Sequence, residues 1–405
     1  MNAPSVVFVD DEGHLLAGIR RMVRGLARDW DVRFAQSGAE ALQMLAERPA
    51  DAIVSDMRMP GLDGAGLLTE VQRQWPATAR LVLSGQADRE SVLAAAAAAH
   101  QFLAKPCDAE TLVGAVNRVL AARRTLADPA LRDLIGGVAN LPTLPAVYHE
   151  LVTLTAEPDC DIEDVVRVLA SDVATSAEVL KLANSAFFGV PRTIDSVGQA
   201  VTMLGLDNIR ALVLTGTVFR SGKGQPGADV EELRRIALLR AAMVRRIGSA
   251  ESWQPPELNP VVLAGMLRDV GALVLAEGRP AEAAALAATL ADDPALHEAP
   301  ARVAEMEEAA YGCTVPQASA YLLGLWGFMS LVVHAVAAQP VHLEAGVSLG
   351  EQLLAFVHQR AVRPGSPVLA AEAGMTDEER AARWNTLCDS VLAETDELAL
   401  ARGGA

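Results

Sequence analysis

Cysteine is scarce in this 405-residue chain: Cys107, Cys160, Cys313 and Cys388 lie far apart, with no Cys-x-x-Cys pair. That spacing excludes a disulfide framework and a cysteine-built zinc site, and it points to free thiols in a reducing, cytoplasmic setting. Aromatic residues make up only 4% and alanine is abundant, so helices should dominate wherever strand signals are missing. An excess of positive charge is also lacking. Residues 1–125 hold 15 acidic and 14 basic side chains, the remainder 36 and 20, and the net charge is −17. So acidic a second half argues against a nucleic-acid surface there. Its one basic stretch, Arg234-Arg235, Arg240 and Arg245-Arg246, reads as a solvated helix face. The N-terminus enters a strand-like run almost at once, which leaves no room for a signal peptide. Finally, no Asp, Glu, Lys or Arg stands between Glu308 and Glu344, a window long enough to span a bilayer. Gly312, Pro316, Gly324, Gly327 and Pro340 interrupt it, so a pair of buried helices broken near Trp326-Gly327 is expected, with no membrane span.

With 51% of its residues apolar, the chain can bury two cores of ordinary size. The clearest signal is a set of four apolar runs that each end on polar residues. Val6-Val7-Phe8-Val9 leads into Asp10-Asp11, Ala52-Ile53-Val54-Ser55 into Asp56, Leu81-Val82-Leu83 into Ser84, and Phe102-Leu103-Ala104 into Lys105-Pro106. Short β-branched runs alternating with helical patterns predict a parallel α/β sheet, whose ligands sit beyond the carboxyl ends of the strands. The polar residues would then share one crevice. Alone, an Asp pair after a strand fits a helix N-cap and a Lys-Pro fits a turn. Together and in this order they are the parts of a reversible aspartyl phosphate. Mg²⁺ needs hard oxygen ligands, which Asp10, Asp11 and Asp56 can supply. A carboxylate can attack phosphorus and carry the group as an acyl phosphate, whose oxygens an ammonium and a hydroxyl then hold. Asp56 is the expected nucleophile, with Lys105 and Ser84 as its phosphoryl ligands.

The blocks VVFVDDE, SDMRMPGLDG, LVLSG and FLAKP resemble the receiver domain of two-component response regulators over residues 1–125. The resemblance implies a flavodoxin-like, doubly wound, five-stranded parallel sheet and phosphorylation of Asp56 by a sensor histidine kinase. It also implies Mg²⁺ held by Asp11, Asp56 and the backbone carbonyl of Arg58, with Asp10 close by. A cis Lys105-Pro106 bond is implied as well, as is a switch in which Ser84 and Phe102 turn inward on phosphorylation. By its position alone Phe102 also fits ordinary strand packing.

From Asp108 to about Leu126 the residues Leu112, Val116, Val119 and Leu120 keep helical spacing, and Asp128-Pro129 supplies a stop. A helical linker over 126–138 could therefore pass on movement of the preceding helix. The run Ala94 to Ala99 predicts a helix with little side-chain bulk, either a plain helix former at the surface or a face that can slide against a partner. Further on, LPTLP at 141–145, LKLANSAFFG at 180–189 and AVTMLGLDNIRALVLT at 200–215 resemble the HDOD domain, the HD-related output domain of bacterial signalling proteins. That resemblance implies an all-helical domain over 139–342. Asn184-Ser185 would serve a helix terminus, and Gly205 a helix stop and restart.

HD phosphohydrolases, to which this resemblance leads, bind divalent metal through separated histidines and a His-Asp pair. The stretch AGMLRDVGALVLA at 264–276 matches the surroundings of that pair, with Arg268 in the histidine place beside Asp269. Arg240 stands where the first histidine is expected. Arginine offers no lone pair to a metal and repels the cation. His149, His297, His334, His342 and His358 form no His-x-x-x-His or His-Asp arrangement and read as surface or packed residues. Asp269 is expected to pair with Arg268 or Arg240 in place of a metal. In the C-terminal extension, 343–405, Pro364-Gly365-Ser366-Pro367 reads as a hinge and Thr376-Asp377-Glu378-Glu379 as a capping box. The helix that follows puts Trp384, Leu387, Val391 and Leu398 on one side, a face that packs on the output domain or joins two protomers as a homodimer.

These readings describe a bacterial response regulator with no enzymatic activity beyond receiver self-phosphorylation and dephosphorylation. Its output would be the binding of a downstream signalling protein. Two alternatives stay open: a residual metal-dependent phosphohydrolase acting on a nucleotide second messenger, since Asp269 survives, and a nucleic-acid-binding regulator.

Overall fold

The computed structural model describes residues 3–84, 98–126, 128–137, 161–170, 196–206, 229–293, 299–328, 330–337, 348–362, 366–368 and 375–403, with residues 151, 154, 179, 209, 213 and 296 singly. Several sequence expectations lie outside them: most of the Ala94 to Ala99 run, the LPTLP and LKLANSAFFG blocks with Asn184-Ser185, Cys160, His149, His297, His342 and Pro364-Gly365. The chain forms two compact units, residues 1–149 with 321–330 and residues 150–320 with 331–405.

The first unit is built on strands β1 (Ser5–Val9), β2 (Asp31–Ala35), β3 (Ala52–Asp56), β4 (Ala79–Ser84) and β5 (Gln101–Ala104). All pair in parallel, in the order β2-β1-β3-β4-β5. This is the doubly wound sheet that the four apolar runs predict. A sheet covered on both faces needs strands that are apolar throughout, and β1 and β3 are accordingly buried along their whole length. Helices α1 (Gly13–Leu26), α2 (Gly38–Glu47), α3 (Gly64–Gln74), α4 (Ala109–Thr125) and α5 (Pro129–Gly137) belong to the same unit. Side chains of Ser37, Asp63 and Asp108 cap α2, α3 and α4 by accepting from the backbone N–H three residues on. The core holds Val7, Val9, Ile53, Leu67, Val82 and Phe102.

The predicted stop at Asp128-Pro129 is present, but α5 does not continue outward. It turns back and is tied to the sheet by Arg80, which is only 1% exposed. The Arg80 guanidinium donates to four carbonyl oxygens: Ala98 at 2.5 Å, Pro76 at 3.0 Å, Thr78 at 3.1 Å and Gly136 of α5 at 3.0 Å. A side chain at Gly136 would place its Cβ 2.2 Å from the Pro76 oxygen, so the close approach of α5 requires glycine there.

The described part of the second unit is helical: α6 (Ile162–Ala170), α7 (Val197–Leu204), α8 (Val230–Ala250), α9 (Pro255–Leu267), α10 (Val270–Gly278), α11 (Pro280–Asp292) and α12 (Pro300–Tyr311). The chain continues through α13 (Val315–Leu325), α14 (Ser330–Ala337), α15 (Leu349–Val362) and α16 (Glu378–Gly403). Gly205 ends α7 with φ +77°, and Ile209 N–H donates to its carbonyl as the chain turns on. Gly327, at φ +81°, breaks the charge-free window between α13 and α14 where the sequence places the break. Among the described residues one helical stretch, Glu257–Gly278, has the length and apolarity to cross a membrane, and 89% of its most apolar window is buried inside the fold.

Two expectations change. The arginine-rich face of α8 is solvated only in part: Arg235 is exposed, as expected, but Arg240 is fully buried and Arg246 reaches both carboxylate oxygens of Glu394 of α16 at 2.7 Å. Arg240 and Arg246 face elements distant in sequence, which local helical periodicity does not register. At the start of α16 the cap is the Asp377 carboxylate, which accepts from Arg380 N–H at 2.8 Å, one residue beyond the expected Thr376. The apolar face of α16 finds its partner within the unit. Trp384 is fully buried, stands edge-on to Phe356 with ring centroids 5.3 Å apart, and donates its indole N–H to Glu251 at 2.9 Å.

Candidate functional site

At the carboxyl ends of the strands the sequence places acidic residues after β1 and β3, a hydroxyl after β4 and a lysine after β5. The sheet order makes these ends neighbours. Lys105 Nζ donates to Asp56 Oδ1 at 2.5 Å and to Asp10 Oδ2 at 2.9 Å. Both carboxylates are buried, Asp10 at 2% exposure and Asp56 at 8%. Burial acts to lower the Lys105 pKa, but the hydrogen bonds and charges of Asp56 and Asp10 outweigh it and leave the ammonium more firmly protonated than usual. The Lys105-Pro106 bond is cis, as the resemblance implies.

Backbone geometry fixes the rest of the crevice. Asp56 Oδ2 accepts from Arg58 N–H at 3.0 Å, and Asp10 Oδ1 from Glu12 N–H at 2.9 Å, so each carboxylate keeps one oxygen on its own loop and offers the other to Lys105. A Cβ at Gly64 would stand 2.3 Å from the Asp56 carbonyl oxygen, so glycine lets α3 start this close behind the acidic strand end. Ser84 pairs with Ala104 in register, and its carbonyl accepts from Lys105 N–H at 2.7 Å, which ties the serine and lysine ends together. Phe102 is buried in the core beside Val82, its partner in register. Asp11 is exposed, and Arg58 follows it on the rim. Of the residues expected at the site, Asp10 and Asp56 both contact Lys105 and Ser84 ends the neighbouring strand, while Asp11 is exposed and Phe102 lies in the core.

The second unit holds a buried charge cluster around Asp269, where Arg240 and Arg268 are expected to pair with it. Asp269 Oδ2 accepts from Arg240 at 2.5 Å, and Arg268 lies 3.8 Å from Asp269 Oδ1. Of the two expected partners, Arg240 makes the close pair. Asp269 stands at the N-cap position of α10 without capping it, because its carboxylate is taken by the arginine. Two members escaped the sequence reading. His358 of α15 meets Arg240 through Nδ1 at 3.0 Å, and Glu307 of α12 accepts from Val315 N–H at 2.8 Å. Neither sits in a local motif; only the packing of distant helices reveals them.

Burial pushes the Glu307 carboxyl up to about 7, against the opposing pull of the Val315 hydrogen bond and the Arg268 charge. From the ordinary carboxylate range up to about 7 the folded chain holds a proton that the unfolded chain has released, so stability falls as pH rises through that window. Glu307→Gln should remove this slope: its melting temperature should exceed that of the parent at pH 8 and match it at pH 5. A parent as stable at pH 8 as at pH 5 relative to the variant would contradict the assignment.

Two family models match the chain, the response regulator receiver domain over residues 6–117 and the HDOD domain over residues 141–341. The transcriptional regulatory protein PrrA of Mycobacterium bovis is 34% identical over 185 residues, covering 45% of this chain and 78% of PrrA. The hydrogenase transcriptional regulatory protein HoxA of Cupriavidus necator is 33% identical over 132 residues, 32% of this chain, and the chain spans about a quarter (27%) of HoxA's length. Among solved structures, the signal receiver domain of an HD domain-containing protein from Pseudomonas fluorescens matches at 28% identity and a TM-score of 0.29, over 30% of this chain and 97% of that one. The chain belongs to the two-component response regulators, with an N-terminal receiver domain followed by an HDOD domain.

Proposed function

We propose that this chain is a phosphorylation-controlled switch in which Asp56 accepts a phosphoryl group from a sensor histidine kinase and the HDOD domain delivers the output by binding a downstream signalling protein. The observation that carries the reading is the single ammonium of Lys105 held between the buried carboxylates of Asp10 and Asp56. Asp56 Oδ1 lies where a nucleophile is needed, and Lys105 and Ser84 lie where the new phosphoryl oxygens would be held. A cleft of about 630 Å³ that includes His14, Met22 and Leu112 in its walls opens beside Asp10 and Lys105.

The donor types suit Mg²⁺: carboxylate oxygens of Asp10, Asp11 and Asp56, with the Arg58 carbonyl on the same loop. Among the described residues no three such side chains are gathered into a metal-holding cluster, and Lys105 supplies the positive charge between Asp10 and Asp56. Asp11, Asp56 and the Arg58 carbonyl would hold the ion, with Asp10 beside them, and the ion would neutralise charge on the transferring phosphoryl oxygens. Lys105→Met leaves two buried carboxylates without a counter-charge. It should cost about 1–3 kcal/mol, less than a fully buried pair because the lysine is partly solvated. Millimolar Mg²⁺ should raise the melting temperature of the variant more than that of the parent. Equal shifts would contradict a cation site built on these carboxylates.

For the output half, Arg240 and Arg268 occupy the positions where metal-binding histidines would be needed, and Asp269 is paired with arginine. These features favour binding over hydrolysis. A nucleic-acid reading draws little support from α8, where Arg235, Arg240 and Arg246 are paired with Glu232, Asp269 and Glu394. The test compares affinity capture by the Mg²⁺–beryllofluoride-treated chain, a mimic of the acyl phosphate, with capture by Asp56→Ala under the same treatment. A signalling protein enriched only with the treated parent is the expected result. Identical capture by both would refute phosphorylation control of the output.

A further inference from the structure

Behind the Asp269 cluster lies a cavity of about 280 Å³, lined mainly by apolar side chains that include Ile236, Leu286, Leu290 and Val303. Arg268, Asp269, Glu307 and His358 also line it. Arg268 is 4% exposed, and its guanidinium makes no hydrogen bond among the described residues; its one ion pair, to Asp269, is a loose 3.8 Å. Asp269 is already committed to Arg240 at 2.5 Å. Burying a cation without close hydrogen-bonded partners is costly, and a positive charge left in this state in an apolar cavity is a receptor for an anion.

The other charged groups agree. Glu307 is the remaining acid facing the cavity, and burial favours its neutral form, so near neutral pH it offers Arg268 less than a full charge. His358 is engaged by Arg240. The planar fork of arginine matches a carboxylate in two parallel hydrogen bonds. Asp269 repels a dianion about twice as strongly as a monoanion, whose single charge one guanidinium can match. The volume falls just below the usual range for ligand pockets, which begins near about 300 Å³. A nucleotide is too large and would find no polar wall for its sugar and base. We infer that this cavity binds a small monocarboxylate, with its carboxylate on Arg268 and a short aliphatic chain or single aromatic ring between α11 and α12. The HDOD domain would then take a small-molecule input of its own, whether or not Asp56 is phosphorylated.

Calorimetric titration of the full chain with hexanoate and benzoate, beside hexanol and benzyl alcohol, tests this directly. At least one carboxylate should bind saturably and at least ten-fold more tightly than its alcohol. Arg268→Met keeps the side-chain bulk and removes a loosely paired buried charge, so it should fold, and it should weaken that carboxylate at least ten-fold. Ala287→Phe fills the cavity from α11 and should abolish binding, deciding the matter even if Arg268→Met fails to fold. No saturable binding, binding that ignores the carboxylate, or binding unchanged in either folded variant would overturn the inference.

Discussion

Replacing Asp269 by alanine is expected to destabilise the second unit by about 3–5 kcal/mol, the usual cost of breaking a buried ion pair from one side. For a unit of this size that is on the order of 10 °C in melting temperature. The cause is the charge left behind. Arg240 is fully buried and Arg268 nearly so; with Asp269 gone, both buried guanidiniums lose the carboxylate that they share. Burial alone would raise the Asp269 pKa, but the charges of Arg240, His358 and Arg268 and the Arg240 hydrogen bond reverse this and hold it well below the usual carboxylate range. Because the folded pKa is depressed, this stabilisation is fully present above the ordinary value of about 4 and is lost only as pH falls further towards the folded one. Replacing the pair together, as Arg240→Met with Asp269→Leu, should recover much of the loss, because apolar side chains of similar volume remove both desolvation costs. Scanning calorimetry of both variants checks this. Unchanged melting of Asp269→Ala would show that the pair does not hold this unit together.

Arg80→Ala should have a comparable effect on the first unit, again about 3–5 kcal/mol, through a different mechanism. The guanidinium satisfies the carbonyls of Ala98, Pro76, Thr78 and Gly136, and truncation leaves these buried acceptors without a donor as well as opening a cavity. His100 adds to the site as a neutral imidazole: burial first, and the Arg80 charge second, push its pKa down, and its Nδ1 accepts from Arg80 N–H at 3.0 Å. Amide exchange would locate the damage. Protection should fall in β4 and α5 together, since Arg80 joins them. Loss confined to β4, with α5 unaffected, would mean that α5 docks through apolar contacts such as Leu131 and Ile135 instead.

The contrast between these two clusters and the phosphoacceptor crevice shows what a sequence makes legible. Asp10, Asp56, Ser84 and Lys105 could be found because each closes a short apolar run, and parallel strands bring their carboxyl ends together whatever the intervening helices do. Arg240 and Arg268 were visible as departures from a metal-ligand pattern, and their meeting with Asp269 followed from charge. Arg80 was invisible: within a buried strand, nothing local marks an arginine whose partners are carbonyls from three separate segments. Glu307 and His358 escaped for the same reason, and the sequence left open whether the α16 face packs on the output domain or on a second protomer. Local periodicity reports that a helix has an apolar side, while its partner depends on how helices far apart in sequence pack.

The account rests most directly on Asp56 as the phosphoryl acceptor, and intact-mass spectrometry of the full chain after incubation with acetyl phosphate and Mg²⁺ reads that out. The parent should gain one phosphoryl group, which chelation of Mg²⁺ before incubation prevents and which peptide mapping places on Asp56; Asp56→Asn should gain none. A phosphoryl group that still appears on Asp56→Asn, or a parent that stays unmodified with Mg²⁺ present, would contradict the assignment.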